Sequence, residues 1–253
     1  MKLVRDFHTH TRYSRGFQAY GKHATGTVME NAEVALKKGL KELAISEHGM
    51  GHKLYGLNRL DFKALVEDVH RANDEFGPKG LRVLLGMEAN LLNLSGDVDL
   101  DDEILKELDI VMMGYHYGAA QGGLGSKLEM FIMNPLSKFF KVGEAKMREK
   151  NTQAFIKAIS KYPIKIITHP TAKLEVDIYD LARAAKEKDI LLEINNKHRK
   201  LSVEEIVSIK DFFSGFILGS DAHRPEDVGN VDRAKEIAIE AGLDLGNIFN
   251  FKE

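Results

Sequence analysis

The stretch LVRDFHTH, residues 3–10, joins a short apolar run to two histidines that are one residue apart. Side chains of an extended segment repeat every second residue, so His8 and His10 project to the same side, as a chelating pair would. An isolated H-x-H of this kind is more often accidental than metal-binding. The rest of the chain decides the question, because polar residues follow an apolar run in the same way at later positions.

Seven short apolar runs alternate with longer amphipathic segments along the chain. Their nearly continuous apolar character is typical of parallel strands that are covered by helices. Seven such units favour a closed, TIM-like barrel over an open sheet, so the predicted fold class is α/β, a (β/α)7 barrel. The predicted strands are 3–7, 42–46, 81–86, 109–114, 164–168, 190–194 and 215–219, and the predicted helices are roughly 27–39, 60–76, 144–160, 177–188, 202–211 and 231–242.

Composition and charge narrow the class of protein. A chain of 253 residues with 43% hydrophobic residues can bury a substantial core. A net charge of −2 offers no positive excess for long nucleic acid or an anionic membrane surface. The N-terminus carries charge too early for a secretory signal, and no apolar run is long enough to span a bilayer, so we expect a cytoplasmic protein. Cysteine is absent, so nitrogen and oxygen atoms must hold any metal.

Two segments interrupt the alternation. Residues 90–108 predict a turn or small hairpin followed by a short helix, and residues 119–150 open with glycines, pass through MFIMNPLSKFF and end basic. No repeat or linker divides the chain, which predicts a single domain, 1–253, with 119–150 as an insertion. We expect this insertion to be a lid, an interface helix in a homo-oligomer, or a simple packed helix.

The histidines are concentrated at strand ends. Of the ten histidines, only His70 falls inside a predicted amphipathic helix, where a solvent-facing side chain is expected. The other nine lie at or soon after the carboxyl ends of predicted strands, the face where barrel enzymes assemble their active sites. Neutral imidazoles beside carboxylates suit divalent zinc, manganese or iron. In chain order, the polar residues at these ends are His8, His10, His23, Glu47, His48, His52, Glu88, His116, His169, Asn195, Asn196, His198, Asp221 and His223.

Each of these residues has an ordinary structural explanation when taken alone. Glu88 and Asp221 fit strand-end caps, His116 between two tyrosines fits aromatic packing, and His169 before Pro170 fits a turn. Their joint occurrence at six of the seven strand ends is much harder to explain in that way. The pattern therefore favours a metal centre at one end of a barrel.

The ordered motifs resemble the polymerase-and-histidinol-phosphatase (PHP) family, and most closely its stand-alone YcdX-type phosphatases. The combination is specific although no single motif is, and it covers nearly the whole chain. The resemblance implies a distorted seven-stranded barrel and three divalent ions, with zinc favoured and manganese or iron as alternatives. The matching motifs are DFHTHT, AISEHG, GMEANLLN, GYHYG, ITHP, LEINN and GSDAH.

The resemblance also implies how nine ligands divide among three ions, with Glu88 bridging two of them. Two departures from the family pattern matter. Glu47 stands where aspartate is common and is expected to support a loop, and the loop between His10 and His23 is longer, so His52 is an alternative to His23. The implied sets are His8, His10, Glu88 and Asp221; His23, His48 and His223; and Glu88, His116 and His169.

The function that follows is metal-dependent phosphoester hydrolysis. We expect a metal-bridging hydroxide to attack the phosphorus of a small phosphorylated metabolite, with Glu88 and Asp221 as catalytic residues. Other polar residues near the presumed ligands have both a functional and a structural interpretation. Arg12, Arg15 and Arg224 are candidate phosphate clamps, or else solvated loop charges. His198 is a candidate proton donor or a supporting residue. Asn195 and Asn196 would orient water or substrate, or else cap the loop.

Four alternatives remain open from the residues. Two of them keep the same chemistry: the protein would be a histidinol-phosphate phosphatase, or it would be a phosphodiesterase or nuclease. No stable nucleic acid partner is expected. A metal-stabilised binding module without turnover is disfavoured, because the ligand set is complete. An amidohydrolase-type barrel also opens with H-x-H, but it typically needs a bridging lysine, and Glu88 stands at the bridging position.

Overall fold

Seven parallel strands in sequence order form the central sheet. The computed structural model describes residues 1–119, 129–136, 143–198 and 201–252. The strands are β1 Lys2–Leu3, β2 Arg5–Thr9, β3 Glu42–His48, β4 Arg82–Asn90, β5 Ile110–Gly114, β6 Ile166–Ile167, β7 Leu191–Asn195, β8 Phe216–Gly219 and β9 Phe251–Lys252. Strands β2 to β8 form the sheet, and β1 pairs with β9 as a separate antiparallel ribbon.

Helices follow the strands at each predicted position. The helix α1 begins after Thr27, whose hydroxyl accepts a hydrogen bond from the Glu30 N–H at 3.2 Å, while the Glu30 carboxylate accepts one from the Thr27 N–H at 2.8 Å. The capping box predicted at this position is confirmed. The helices are α1 Val28–Lys37, α2 Phe62–Phe76, α3 Asp102–Leu105, α4 Glu144–Lys161, α5 Ile178–Glu187, α6 Val203–Ile209 and α7 Asp232–Glu240.

The sheet closes almost completely into a barrel. At the carboxyl ends of the strands, the His10 N–H donates to the Ala222 carbonyl at 2.8 Å, and the Ala222 N–H donates to the His8 carbonyl at 3.1 Å. Lower down, the fully buried Asn250 amide donates to the carbonyls of Leu218 at 2.7 Å and Arg5 at 3.2 Å. A side chain therefore completes the seam where β2 and β8 form no ladder, and the predicted distorted TIM-like (β/α)7 barrel is confirmed.

Alternate residues of the strands fill the barrel interior in layers, as the two-residue repeat of a strand requires. The lower layer is apolar and includes Phe7, Ala44, Leu84, Met112, Ile166 and Ile217, which form one buried cluster. Larger apolar clusters lie between the sheet and the surrounding helices. The apolar lower layer leaves only the carboxyl ends of the strands for polar side chains, and that is where a site must lie.

The insertion at 119–150 lies partly outside the described residues, since 120–128 and 137–142 are not among them. Its described part contains a π-helix at Glu129–Met133 that packs on the barrel through Met130, which is fully buried. The Tyr115 hydroxyl donates to the Met130 carbonyl at 3.3 Å. A lid or interface role for the insertion, and the single domain over 1–253, stay predictions.

Among the residues described, none of the helices combines the length and the apolar composition that a membrane crossing requires.

Candidate metal centre

Buried histidines and carboxylates converge at the carboxyl ends of the barrel strands. They form four overlapping groups, and within each group one ligand atom per residue lies within 4.8 Å of the others. The four groups are His10, His48 and His223; His8, Glu88 and His169; His8, His10 and Asp221; and His48, Glu88 and His116.

Glu88, near the end of β4, is the centre of this cluster and is fully buried. Its Oε1 atom lies 2.9 Å from His169 Nε2 and accepts a hydrogen bond from the Thr168 hydroxyl at 2.6 Å. Its Oε2 atom lies 2.9 Å from His48 Nδ1 and 3.4 Å from His8 Nε2. The two oxygens of one carboxylate therefore face different histidines, as a bridging ligand requires.

The long loop after β2 carries His23 into the cluster. Its Nε2 atom lies 3.2 Å from His48 Nε2 and 3.0 Å from His223 Nε2. Burial lowers the pKa of His23 to about 3 and that of His48 to about 4, so both imidazoles are neutral at pH 7. The His223 Nδ1 atom lies 2.9 Å from the Asp221 carbonyl and 3.0 Å from Lys197 Nζ, while its Nε2 atom faces His23.

Several buried polar atoms in this cluster have no hydrogen-bond partner among the described residues. They are His8 Nε2, both ring nitrogens of His10, and the pair His48 Nδ1 and Glu88 Oε2, which lie 2.9 Å apart without the angles of a hydrogen bond. Unpartnered buried polar atoms are rare and costly, and each calls for an explanation. Neutral imidazole nitrogens beside carboxylate oxygens fit divalent cations such as zinc, and cations would satisfy these atoms together. The residues present therefore fit a metal centre.

Two residues of the cluster adopt backbone conformations that are unfavourable for non-glycine residues. His169 has φ +29° and Asp221 has φ +53°. Conformations of this kind persist only where surrounding contacts enforce them, and they concentrate at functional sites. Here they turn the chain two residues after the end of β6 and two residues after the end of β8, and both side chains face the cluster.

Glu193, in the middle of β7, orients His8. Its Oε1 atom accepts a hydrogen bond from His8 Nδ1 at 2.6 Å, and its Oε2 atom accepts from the His169 N–H at 2.9 Å and from the Asn195 amide at 3.0 Å. Against the effect of burial, the carboxylates of Glu193, Glu88 and Asp221 raise the pKa of His8, and its Nε2 atom, 3.4 Å from Glu88 Oε2, is the one that would bind a cation. A Cβ at Gly219, on the neighbouring strand, would lie 1.7 Å from Glu193 Oε1, so only glycine leaves room for this carboxylate.

Asn90, at the end of β4, orients His116 in a similar way. Its amide oxygen lies 2.8 Å from His116 Nδ1, while its amide nitrogen donates to the Asp99 carboxylate. Asp99 also accepts a hydrogen bond from the Gly51 N–H at 2.7 Å. The orientation of His116 is thereby coupled to the loops that follow β3 and β4.

His52 lies outside the cluster and does not replace His23. Its Nε2 atom donates to the Tyr117 carbonyl at 2.6 Å, and its Nδ1 atom accepts from the Tyr55 N–H at 3.3 Å. Both ring nitrogens are therefore occupied by backbone groups. Glu47 is also separate from the cluster, since its carboxylate accepts hydrogen bonds from Thr11 and from the Ser14 hydroxyl and so holds the loop after β2.

Two of the predicted arginine clamps, Arg15 and Arg224, have surroundings that fit another role. Arg15 pairs with Asp61, with Nε and Nη2 at 2.8 and 2.7 Å from one carboxylate oxygen, and Arg224 is exposed and makes no side-chain hydrogen bond or ion pair to the residues described. The Arg12 guanidinium lies 5.5 Å from the Tyr13 ring centre. The solvated or structural interpretation fits Arg15 and Arg224 better than a phosphate clamp. The Arg12 Nε atom is buried without a hydrogen-bond partner among the described residues, and its role as a clamp stays a prediction.

The loop after β7 holds the remaining candidates. His198 Nε2 lies 3.6 Å from Asp221 Oδ2, at the rim of the cluster. The Asn195 amide donates to Asp221 Oδ2 at 3.4 Å, whereas Asn196 accepts hydrogen bonds from the N–H groups of Arg233 and Ala234 and caps α7. Asn195 thus supports the cluster, and Asn196 has the structural role of a cap.

The supporting roles of Glu193, Asn90 and Thr168 were not predicted from the sequence. A signal for Glu193 was present, because a carboxylate interrupts the apolar strand LLEIN. All nine predicted ligands lie in or against the cluster, with His23 joined to it through His48 and His223. Their binding of metal stays a prediction.

Sequence comparison finds relatives of nearly the same length. Three proteins named "Probable phosphatase" cover 97–100% of this chain, and no family model matches the sequence. The first is from Proteus mirabilis (strain HI4320), with 30% identity over 89% of its length. The second is from Thermoanaerobacter sp. (strain X514), with 33% over 91%, and the third from Clostridium novyi (strain NT), with 32% over 92%.

Solved structures share the fold at lower identity. A histidinol phosphate phosphatase from Lactococcus lactis, in complex with zinc, L-histidinol and phosphate, gives a TM-score of 0.63 at 15% identity and covers 96% of this chain and 95% of its own. A Listeria monocytogenes protein gives a TM-score of 0.64 at 16% identity, covering 89% of this chain and 97% of its own. Together with the relatives, the barrel and the histidine cluster, these similarities show that the chain belongs to the PHP family of metal-dependent phosphoesterases.

Proposed function

We propose that the cluster holds three divalent ions and that the protein hydrolyses a small phosphomonoester. The observation that carries this proposal is the convergence of buried, unpartnered nitrogen and oxygen atoms from separate strand ends on one place. The proposed ligand sets are His8, His10, Glu88 and Asp221 for one ion; His23, His48 and His223 for a second; and Glu88, His116 and His169 for the third.

Zinc is the ion that we favour, with manganese or iron as alternatives. Imidazole nitrogen and carboxylate oxygen suit all three metals. The zinc in the related Lactococcus lactis structure supports this choice. When bound, such ions polarise phosphoryl oxygens and lower the pKa of a coordinated water.

The residues of the chain supply the geometry for that chemistry. Glu88 offers one oxygen on each side of the cluster, and its hydrogen bond from Thr168 fixes the orientation of the carboxylate. Glu193 holds His8, and Asn90 holds His116, so that each presents its Nε2 atom. Supporting hydrogen bonds of this kind restrict the rings to a single orientation and tautomer.

His198 is better suited to hydrogen bonding than to proton donation. Burial lowers its pKa to about 4, and the neighbouring His169 acts in the same direction. The imidazole is therefore neutral at pH 7, where a general acid needs to be protonated. Its position 3.6 Å from Asp221 Oδ2 lets it support that carboxylate or a substrate at the rim of the site.

A direct test compares three substrates with the metal-loaded protein. We expect hydrolysis of p-nitrophenyl phosphate, a monoester, and much slower hydrolysis of bis-p-nitrophenyl phosphate, a diester. Histidinol phosphate serves as the third substrate and tests the histidinol-phosphatase alternative. The control variant is His70→Ala, which removes a histidine of α2 outside the cluster and should leave all rates unchanged. A preference for the diester contradicts the proposal and favours a phosphodiesterase.

A cytoplasmic location and a homo-oligomer stay predictions.

A further inference from the structure

The loop after β2, which carries His23, is tied to the loop after β3 by backbone contacts. The Gly16 N–H donates to the Gly56 carbonyl at 2.7 Å. Gly16 has φ +55°, and a Cβ at this position would lie 2.0 Å from the Lys53 carbonyl oxygen. Any other L-residue here would be strained in its backbone and would overlap the facing loop. The two loops therefore lie against each other at a fixed distance.

Tyr55, in the loop after β3, lies between two histidine rings. Its ring centre is 4.3 Å from that of His23, with 13° between the planes, and 3.4 Å from that of His52, with 21° between the planes. Two rings so close and so nearly parallel to Tyr55 would overlap if they shared one of its faces, so they lie on opposite faces. The Tyr55 ring centre also lies 4.8 Å from that of His48. Tyr55 thus packs on two of the three histidines proposed for the second ion.

His52 is the fixed end of this stack of three rings. Its Nε2 atom donates to the Tyr117 carbonyl at 2.6 Å, and its Nδ1 atom accepts from the Tyr55 N–H at 3.3 Å. Gly118 has φ +100°, and a Cβ there would lie 3.0 Å from His52 Nε2, so the backbone approaches this ring closely. The His52 ring cannot turn without losing both hydrogen bonds, and it supports Tyr55 from the side away from His23.

His23 lacks the hydrogen-bonded support that other proposed ligands have. An amide or a carboxylate orients His116 and His8 through their Nδ1 atoms, whereas the Nδ1 atom of His23 has no hydrogen-bond partner among the residues described. A ligating histidine is ordinarily held by a group behind it. Stacked aromatic rings attract each other beyond the area that they bury. The face of Tyr55 is therefore the contact that restricts the His23 ring.

We propose that Tyr55 is a positioning residue for the second proposed ion, and that its ring, supported by His52, holds His23 in the orientation that binds this ion. The inference rests on the proposed function, whose second ion it concerns. It gives His52 a role as the base of the stack and not as a ligand. The Tyr55 hydroxyl has no hydrogen-bond partner among the described residues, so the ring alone performs this role.

The test titrates zinc into metal-free wild-type protein, Tyr55→Leu and Tyr55→Phe. Leucine keeps an apolar side chain but removes the flat face, so we expect the affinity for one of the three ions to fall roughly 10-fold while the other two keep theirs. Tyr55→Phe keeps the ring and should match wild type. Tyr179→Leu is the matched control, because it removes an exposed tyrosine of α5 that packs on Phe212, and it should bind zinc as wild type does.

Proton NMR of the metal-free protein detects the stack without any ion. The face of an aromatic ring shifts the signals of protons above it upfield, so the carbon-bound ring protons of His23 should move downfield in Tyr55→Leu and keep their positions in Tyr55→Phe. The variant His23→Asn identifies these signals by their loss. Unchanged His23 signals in Tyr55→Leu would overturn the inference.

The zinc titration separates this inference from the proposed function. Wild-type affinity for all ions in Tyr55→Leu overturns the role of Tyr55, whatever the hydrolysis rates are. An equal loss of affinity in Tyr55→Phe and Tyr55→Leu also overturns it, because the hydroxyl is then the group that acts. Zinc binding that depends on the Tyr55 ring, in a protein that hydrolyses no phosphoester, overturns the proposed function and leaves the positioning role supported.

Discussion

Glu88→Gln is expected to reduce kcat/KM for an aryl phosphate by roughly 1000-fold or more. Glutamine has the same shape, but it replaces one carboxylate oxygen by an amide nitrogen and removes the charge. The two oxygens of Glu88 face different histidines, so the substitution disturbs two proposed ion sites at once. Loss of a buried charge partner costs several kcal/mol, and each 1.4 kcal/mol corresponds to about tenfold in rate.

The measurement pairs steady-state kinetics with metal content of the same sample. We expect fewer ions per chain in Glu88→Gln than in wild type, with the far-ultraviolet circular dichroism spectrum unchanged. Glu187→Gln, at the exposed end of α5, is the matched control and should keep both activity and metal. Near-normal turnover by Glu88→Gln would show that this carboxylate does not bridge two ions.

Glu193→Gln is expected to weaken metal binding roughly 10- to 100-fold, although Glu193 is not a proposed ligand. The carboxylate accepts hydrogen bonds from His8 Nδ1 through one oxygen and from the His169 N–H through the other. An amide group has one acceptor, so its NH2 must face a donor. His8 can relieve that conflict by moving its proton to Nε2, which removes the lone pair that faces Glu88.

Gly219→Ala tests the same support without changing any charge. The added methyl group would lie 1.7 Å from Glu193 Oε1 and must displace that side chain. We expect metal affinity and activity to fall together, as in Glu193→Gln. Gly77→Ala is the control, since a Cβ there meets nothing within 4 Å. Titration of apo-protein with zinc measures both effects, and wild-type affinity in both site variants would refute the support role of Glu193.

Strand ends were predictable from sequence because the signal is local. An apolar run followed by histidine or a carboxylate marks the carboxyl end of a strand, and parallel strands bring such ends together. The positions of His8, Glu88, His169 and Asp221 followed from this rule. The lengths of the strands did not follow from this rule. The strand β4 continues through GMEAN to Asn90, whereas its predicted end was residue 86.

The supporting residues depend on contacts between distant parts of the chain, which a single sequence does not display. Glu193 and His8 lie 185 residues apart and meet only after the barrel closes. Arg15 was proposed as a clamp because it is near His10 in sequence, but Asp61, at the start of α2, binds it. The choice between His23 and His52 likewise required the fold, because both loops reach the same end of the barrel.

The most direct test of the central claim is the metal content of protein purified without chelator, measured together with hydrolysis of p-nitrophenyl phosphate. The proposed centre predicts close to three divalent ions per chain and hydrolysis that is lost on chelation and restored by zinc or manganese. One ion or none per chain, with no hydrolysis after either metal is supplied, would contradict it.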